Sequence, residues 1–169
     1  MKNSIISTTF AALLAVTSTA NADENKLFHG SFAGIEAGYL DAQNDVNGFY
    51  YGANLGFRAQ SETGLVYGIE GTIGQTNLNN AVDVDYQFSI MPTLGWALGD
   101  EKRNLVSVGA GYAKLKASIS GPNYSRSNDD FAAFVGFERA IGESLSLRTR
   151  VTTYGFDDFL ATAGIGFRF

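Results

Sequence analysis

The chain has no cysteine and only two prolines in 169 residues, so neither disulfides nor thiolate-bound metal can hold it together. Charge is scarce at 17% of residues, and acids outnumber bases to leave a net charge of −5, which argues against nucleic acid as a partner. There is one histidine, His29, and beyond the amino-terminal stretch no apolar run approaches the roughly twenty residues of a membrane-spanning helix. Helical periodicity of useful length is absent as well. What the chain has instead is 20 glycines, 13 phenylalanines and 8 tyrosines, a mixture suited to strands. Glycine weakens an isolated strand, but in a narrow barrel it makes room for bulky neighbours.

The amino end has the three parts of a secretory signal. Lys2 precedes the apolar stretch Phe10-Ala-Ala-Leu-Leu-Ala-Val16, which ends at Ala20-Asn21-Ala22, an A-x-A site for signal peptidase. The stretch is too short for a membrane anchor, the competing reading. Residues 1–22 are expected to be a signal peptide cleaved after Ala22, residues 23–30 a periplasmic lead-in, and residues 31–169 one domain.

That domain alternates with period two. From Tyr86 every second residue is apolar: Phe88, Ile90, Pro92, Leu94, Trp96 and Leu98. The intervening Gln87, Ser89, Met91, Thr93, Gly95 and Ala97 are polar, small or modest in size, as a lumen-facing row should be. The final segment repeats the pattern and stops on Phe169. Alternation places segments near 31–40, 49–58, 65–76, 84–98, 105–116, 130–139, 145–155 and 159–169, each long enough to be a tilted spanning strand. Connections at 59–64, 99–104 and 140–144 are short and rich in turn formers, whereas 41–48, 77–83 and 117–129 are longer. Short periplasmic turns opposite longer outer loops predict an all-β, eight-stranded, antiparallel up-and-down transmembrane β-barrel. Pro92 removes a ladder donor inside the fourth segment, so a local bulge is expected there.

With the amino end periplasmic, aromatics fall into two girdles on the lipid face, Tyr39, Tyr51, Tyr86 and Tyr112 at outer strand ends and Trp96 and Phe137 at inner ends. The same aromatics could form the core of a soluble barrel or sandwich. That alternative leaves the charges unexplained, because nearly all in-strand charges take the other face: Glu36, Arg58, Glu70, Glu138, Arg148, Arg150 and Arg168. A soluble protein would scatter charge along that face. We expect a lumenal ion-pair network, with Glu36, Glu70, Arg148 and Arg150 at middle height and Arg58, Glu138 and Arg168 nearer the periplasmic mouth. In so narrow a barrel the network would plug the lumen; an ion path that opens by exchange of partners is the alternative.

Three stretches carry a resemblance: Ala33-Gly-Ile-Glu-Ala-Gly-Tyr39, Val106-Ser-Val-Gly-Ala-Gly-Tyr-Ala113 and Ala163-Gly-Ile-Gly-Phe-Arg-Phe169. Over 31–169 the chain resembles the small outer-membrane barrels typified by the OmpA transmembrane domain, OmpX/Ail and the opacity-type surface proteins. The resemblance implies a Gram-negative outer membrane, and an assembly signal at Ile165, Phe167 and Phe169 read by the barrel-assembly machinery. It says little about activity.

No catalytic constellation is found: His29 precedes the first strand at the periplasmic end, as a solvated lead-in residue, and no outer-rim Ser-His-acid or Asp-His arrangement can be built from it. No enzyme, metal or cofactor is therefore expected. The acidic pairs Asp83/Asp85, Asp129/Asp130 and Asp157/Asp158 read as a solvated outer rim, with divalent-cation ligation the weaker alternative. Lys114, Lys116 and Arg126 could meet phosphates of lipopolysaccharide. Expected partners are outer-membrane lipid and lipopolysaccharide, the assembly machinery and a host-surface ligand. The expected function is a structural or surface-exposed barrel serving envelope integrity and adhesion; a narrow pore for ions or small solutes is the alternative.

Overall fold

The computed structural model describes residues 26–42, 46–78, 82–119 and 125–169. The expected signal peptide and its site at Ala22 lie outside these residues, as do the side chains of Asp83, Asp85 and Arg126. The strands are β1 (Gly30–Ala42), β2 (Val46–Gln60), β3 (Leu65–Leu78), β4 (Val82–Leu98), β5 (Asn104–Ile119), β6 (Ser125–Ala140), β7 (Leu145–Tyr154) and β8 (Asp158–Arg168). Each pairs antiparallel with the next, and β1 closes on β8 from Phe32↔Arg168 to Asp41↔Phe159. The result is the all-β, eight-stranded up-and-down barrel.

Alternation decides which way each side chain points. Ile35, Leu55, Ile69, Leu94, Val108, Val135 and Phe167 are exposed on the outer wall, while Glu36, Asn54, Glu70, Thr72, Thr152 and Thr162 are buried inside. Such a continuous apolar exterior is far larger than a soluble monomer exposes and matches the lipid face of a membrane barrel.

The strands run further on the outer side than apolar alternation indicates. The expected loops 41–48, 77–83 and 117–129 are largely paired, with Ala42↔Val46, Asn77↔Asp83 and Ser118↔Ser125 close to their tips. The reason is that a two-stranded ribbon beyond the membrane needs only its hydrogen-bond ladder, so pairing continues where the lipid-facing pattern stops. The β7–β8 hairpin closes early, at Tyr154↔Asp158. The outer rim is therefore high over β2 to β6 and low at β7 and β8.

Pro92 does not produce the expected bulge. It pairs with Ile69 of β3, and on the β5 side pairing lapses between Ile90↔Tyr112 and Thr93↔Gly109 without a change of register. Omitting the two pairs at Met91 and Pro92 accommodates the missing N–H at less geometric disturbance than an inserted residue. The register shifts lie higher on β4, between Gly74 and Thr76 on its β3 side and between Val84 and Tyr86 on its β5 side.

The described part of the lead-in, residues 26–30, packs into the barrel. Phe28 is buried with Val66, Ala97, Leu105 and Ala140, and its backbone N–H donates to Gln60 Oε1 at 2.8 Å. His29 is correspondingly half-buried rather than solvated: Nδ1 accepts from the Gln60 N–H at 3.4 Å and its ring meets Phe57 edge-on.

Tyr50 also shapes the lumen, lying against Gly52 and Gly74, where any Cβ would collide with its ring. Gly74→Ala is expected to destabilise the folded barrel by about 1–3 kcal/mol through overpacking, read from urea unfolding in detergent. Gly142→Ala, where an added Cβ meets nothing within 4 Å, should change stability by less than about 0.5 kcal/mol.

Candidate functional site

The lumenal charges are set by strand parity and spaced by glycine. Glu36 on β1 has Gly52 and Gly164 directly across on β2 and β8. Glu70 faces Gly56, Arg148 faces Gly164, Arg150 faces Gly136, and Arg58 faces Gly30 and Gly68. Long ionic side chains thus emerge where their neighbours have none, which gives them volume inside a barrel otherwise filled by side chains.

These groups form an alternating chain. Arg150 donates to both oxygens of Glu36 at 2.6 and 2.7 Å and to Glu70 Oε1 at 2.5 Å. Arg148 donates to Glu70 Oε2 at 2.7 Å and to Asn54 Oδ1 at 2.6 Å, and its Nε lies 3.3 Å from Glu138 Oε2. Arg58 completes the line with bonds of 2.7 and 3.3 Å to Glu138. In order the side chains are Glu36, Arg150, Glu70, Arg148, Glu138 and Arg58, acid and base in turn with no formal charge left over. Bidentate charge-assisted bonds of this kind are the strong ones. They also reach across the lumen, from β7 to β1 and β3 and from β6 to β2.

The middle and lower levels are one chain, because Arg148 contacts carboxylates of both. Arg168 stands apart from it and donates to the backbone carbonyls of Gly142 and Glu143 instead. Its guanidinium and that of Arg58 each lie 5.6 Å from the Phe28 ring centroid.

Several lumenal partners are not evident from charge alone. Asn54, Tyr50 and Ser146 bond to the carboxylates of Glu36 and Glu138, Ser146 at 2.7 Å. Phe32 sits 4.0 Å beneath Arg58 and 5.2 Å from Arg148, and Phe134 lies 5.0 Å from Arg150, distances at which a guanidinium is attracted to the ring face. Each shares strand parity with the charges, and parity is the signal by which they could be found. Aromatic identity points the other way, toward the lipid.

The charged layer has an apolar cluster on each side. Below it lies the apolar cluster around Phe28, and above it Leu40, Tyr50, Met91, Phe134, Tyr154 and Leu160 pack together. Gln87 donates to the Tyr154 hydroxyl at 2.9 Å, and Thr72 and Ser89 share a 2.6 Å bond in this upper region. The free space beside Arg148 and Arg150 measures about 10 Å³, room for about one water molecule.

On the exterior, Tyr39, Tyr51, Tyr86 and Tyr112 are exposed on the outer halves of their strands, and Trp96 and Phe137 on the inner halves. Ile165, Phe167 and Phe169 share the exposed face at the carboxy end, where the Phe169 N–H donates to Ser31 O at 2.9 Å. Near the outer rim Lys114 pairs with Asp129 at 3.4 Å. Among the described residues no three acidic or histidine side chains converge as a metal site.

A family model described as "Outer membrane protein beta-barrel domain" matches residues 8–169. The amino-terminal β-barrel domain of Pseudomonas aeruginosa OprF is similar with a TM-score of 0.60 at 15% identity, over 83% of this chain and 98% of that one. Neisserial surface protein A follows with 0.57 at 14% identity, covering 82% and 96%. Ail, the attachment invasion locus protein of Yersinia pestis, gives 0.52 at 20% identity, covering 83% and 99%, and is also known in complex with the heparin analogue sucrose octasulfate. At these identities the likeness is one of fold. No curated relative matches the chain.

Removing one member of the chain strands its partners. Glu70→Gln leaves Arg148 and Arg150 short of a carboxylate and should lower unfolding free energy in detergent by about 3–5 kcal/mol. The exposed Arg139→Gln is the control and should shift it by less than about 0.5 kcal/mol.

Proposed function

The chain belongs to the outer membrane protein β-barrel domain family, and from that premise we propose that it is a closed structural barrel that presents its outer ribbons at the cell surface, not a pore. The observation that carries this reading is the neutral Glu-Arg chain lying between two apolar layers. A conducting path would have to separate buried ion pairs and expose them without partners, which costs several kcal/mol for each pair broken. As a structural element the same chain braces the barrel across its lumen.

Export through the signal at 1–22, with cleavage after Ala22, suits this location, and Ile165, Phe167 and Phe169 are read as the signal for the barrel-assembly machinery. The exposed aromatics at the two ends of the wall serve as girdles at the membrane interfaces. Lipopolysaccharide and outer-membrane lipid are the surrounding partners. A role in envelope integrity follows from a stable, sealed barrel.

Host contact through the outer ribbons is the further part of this reading. Ail is known with a polyanionic ligand, but here the described rim bears Asp41, Asp129, Asp130, Asp157 and Asp158 against Lys114 and Lys116. A cationic or neutral host ligand fits that rim better than a sulfated polysaccharide.

Refolded protein in planar bilayers should give no stepwise single-channel current, and Glu70→Gln should not create one while the barrel remains folded. Regular current steps from the unaltered protein would overturn the closed-barrel reading in favour of a narrow ion or solute pore. Deleting Phe169 should reduce outer-membrane yield in cells while refolding in detergent continues, measured by the heat-dependent shift in gel mobility.

A further inference from the structure

The outer wall is not evenly apolar. Across β8, β1, β2, β3 and the upper part of β4 it is indented by a groove of about 930 Å³ with an overwhelmingly apolar lining. The depression has a simple origin in the sequence. Its floor is made where outward positions hold alanine, at Ala37, Ala53 and Ala163, and neighbouring inward positions hold glycine. Its margins are bulky, with Ile35 and Ile165 paired across β1 and β8 at one end and Tyr51 and Tyr86 at the other.

Strand pairing orients the groove. Ala37 is opposite Tyr51, Tyr51 is opposite Gln75 and donates to it at 2.7 Å, and across β4 Tyr86 is opposite Lys116 of β5. The Lys116 ammonium lies 5.9 Å from the Tyr86 ring centroid, on the same outward face. The groove therefore begins among aliphatic side chains in the middle of β1 and β8 and ends at hydrogen-bonding groups, with a cation just beyond them. Lys114, two residues before Lys116 on the same outward face, is held by Asp129.

We propose that this groove seats one acyl chain of an anionic lipid of the outer leaflet, with the lipid phosphate meeting Lys116. The inference rests on the reading that this wall faces the membrane. A groove of this size is in the range of built ligand sites. Lipid tails are as apolar as the wall itself, so what distinguishes the groove is packing: its concave floor surrounds a flexible chain with more van der Waals contacts than a smooth wall can offer. Lys116 at the outer end selects the charge of the headgroup, because an ammonium recognises phosphate as a point charge. The unequal ends fix the direction: tail toward Ile35 and Ile165, head toward Lys116.

The test uses full mature protein refolded in detergent, with native mass spectrometry to count bound lipid and the gel mobility shift to confirm the barrel. The probes are purified lipid A and, as a zwitterionic comparison, phosphatidylcholine of similar chain length. Wild-type protein is expected to retain one lipid A in preference to phosphatidylcholine. Ala53→Phe fills the groove from its floor without entering the lumen and should weaken lipid A retention about tenfold by removing the packing contacts of the seated chain. Ala163→Leu provides the same obstruction from β8 should the first variant fold poorly. Lys116→Ala should keep chain binding but abolish the preference for lipid A. Equal retention by folded wild type and Ala53→Phe would overturn the proposal, as would a groove-dependent dimer of the barrel with no lipid bound. Loss of the mobility shift in the wild type would instead defeat the membrane-barrel reading itself.

Discussion

Closure of β1 on β8 is the constraint from which the rest follows. In hydrocarbon every backbone N–H and C=O must find a partner within the protein, and a sheet can meet that demand only by having no edge. With eight strands, closure leaves an interior so narrow that side chains fill it. The contents of the lumen are thus a packing problem in which polar groups must be satisfied by one another. The chain solves it with acids and bases in strict alternation, glycine across from nearly every charge, and phenylalanine rings stacked on the guanidinium faces.

Seen this way, the glycines and the buried charges are two parts of one arrangement. Glu36 can lie in the lumen because Gly52 and Gly164 flank it, and Tyr50 can reach the Glu36 carboxylate because Gly52 and Gly74 make room for its ring. The energetic gain of such ion pairs over an apolar filling is small or even negative, but once built they resist the removal of any single member. Rigidity across the lumen, from β7 to β3 and from β6 to β2, is the property this arrangement confers.

The exterior follows the same two-residue rule with different content. Where outward positions are large, the wall is smooth to lipid. Where Ala37, Ala53 and Ala163 replace large residues, the wall is hollowed, and the hollow opens toward Lys116. The same economy of side-chain volume that makes space inside for arginine makes space outside for an acyl chain.

From the sequence alone, alternation between Tyr86 and Leu98 and along the last strand was enough to assign faces, because hydrocarbon and lumen impose opposite preferences at every step of an extended chain. Strand number and the set of lumenal charges were legible for the same reason. Three features were not. The ribbons beyond the membrane depend on backbone pairing, which leaves no apolar pattern to read. Phe28 precedes the first strand, where no parity reaches it, so only the closed barrel decides that it faces inward. Which carboxylate meets which guanidinium is settled across the lumen between residues far apart in the chain, such as Glu36 and Arg150. Parity determines which side of the wall a residue occupies, but only strand tilt, register and closure bring two opposite walls within hydrogen-bonding distance.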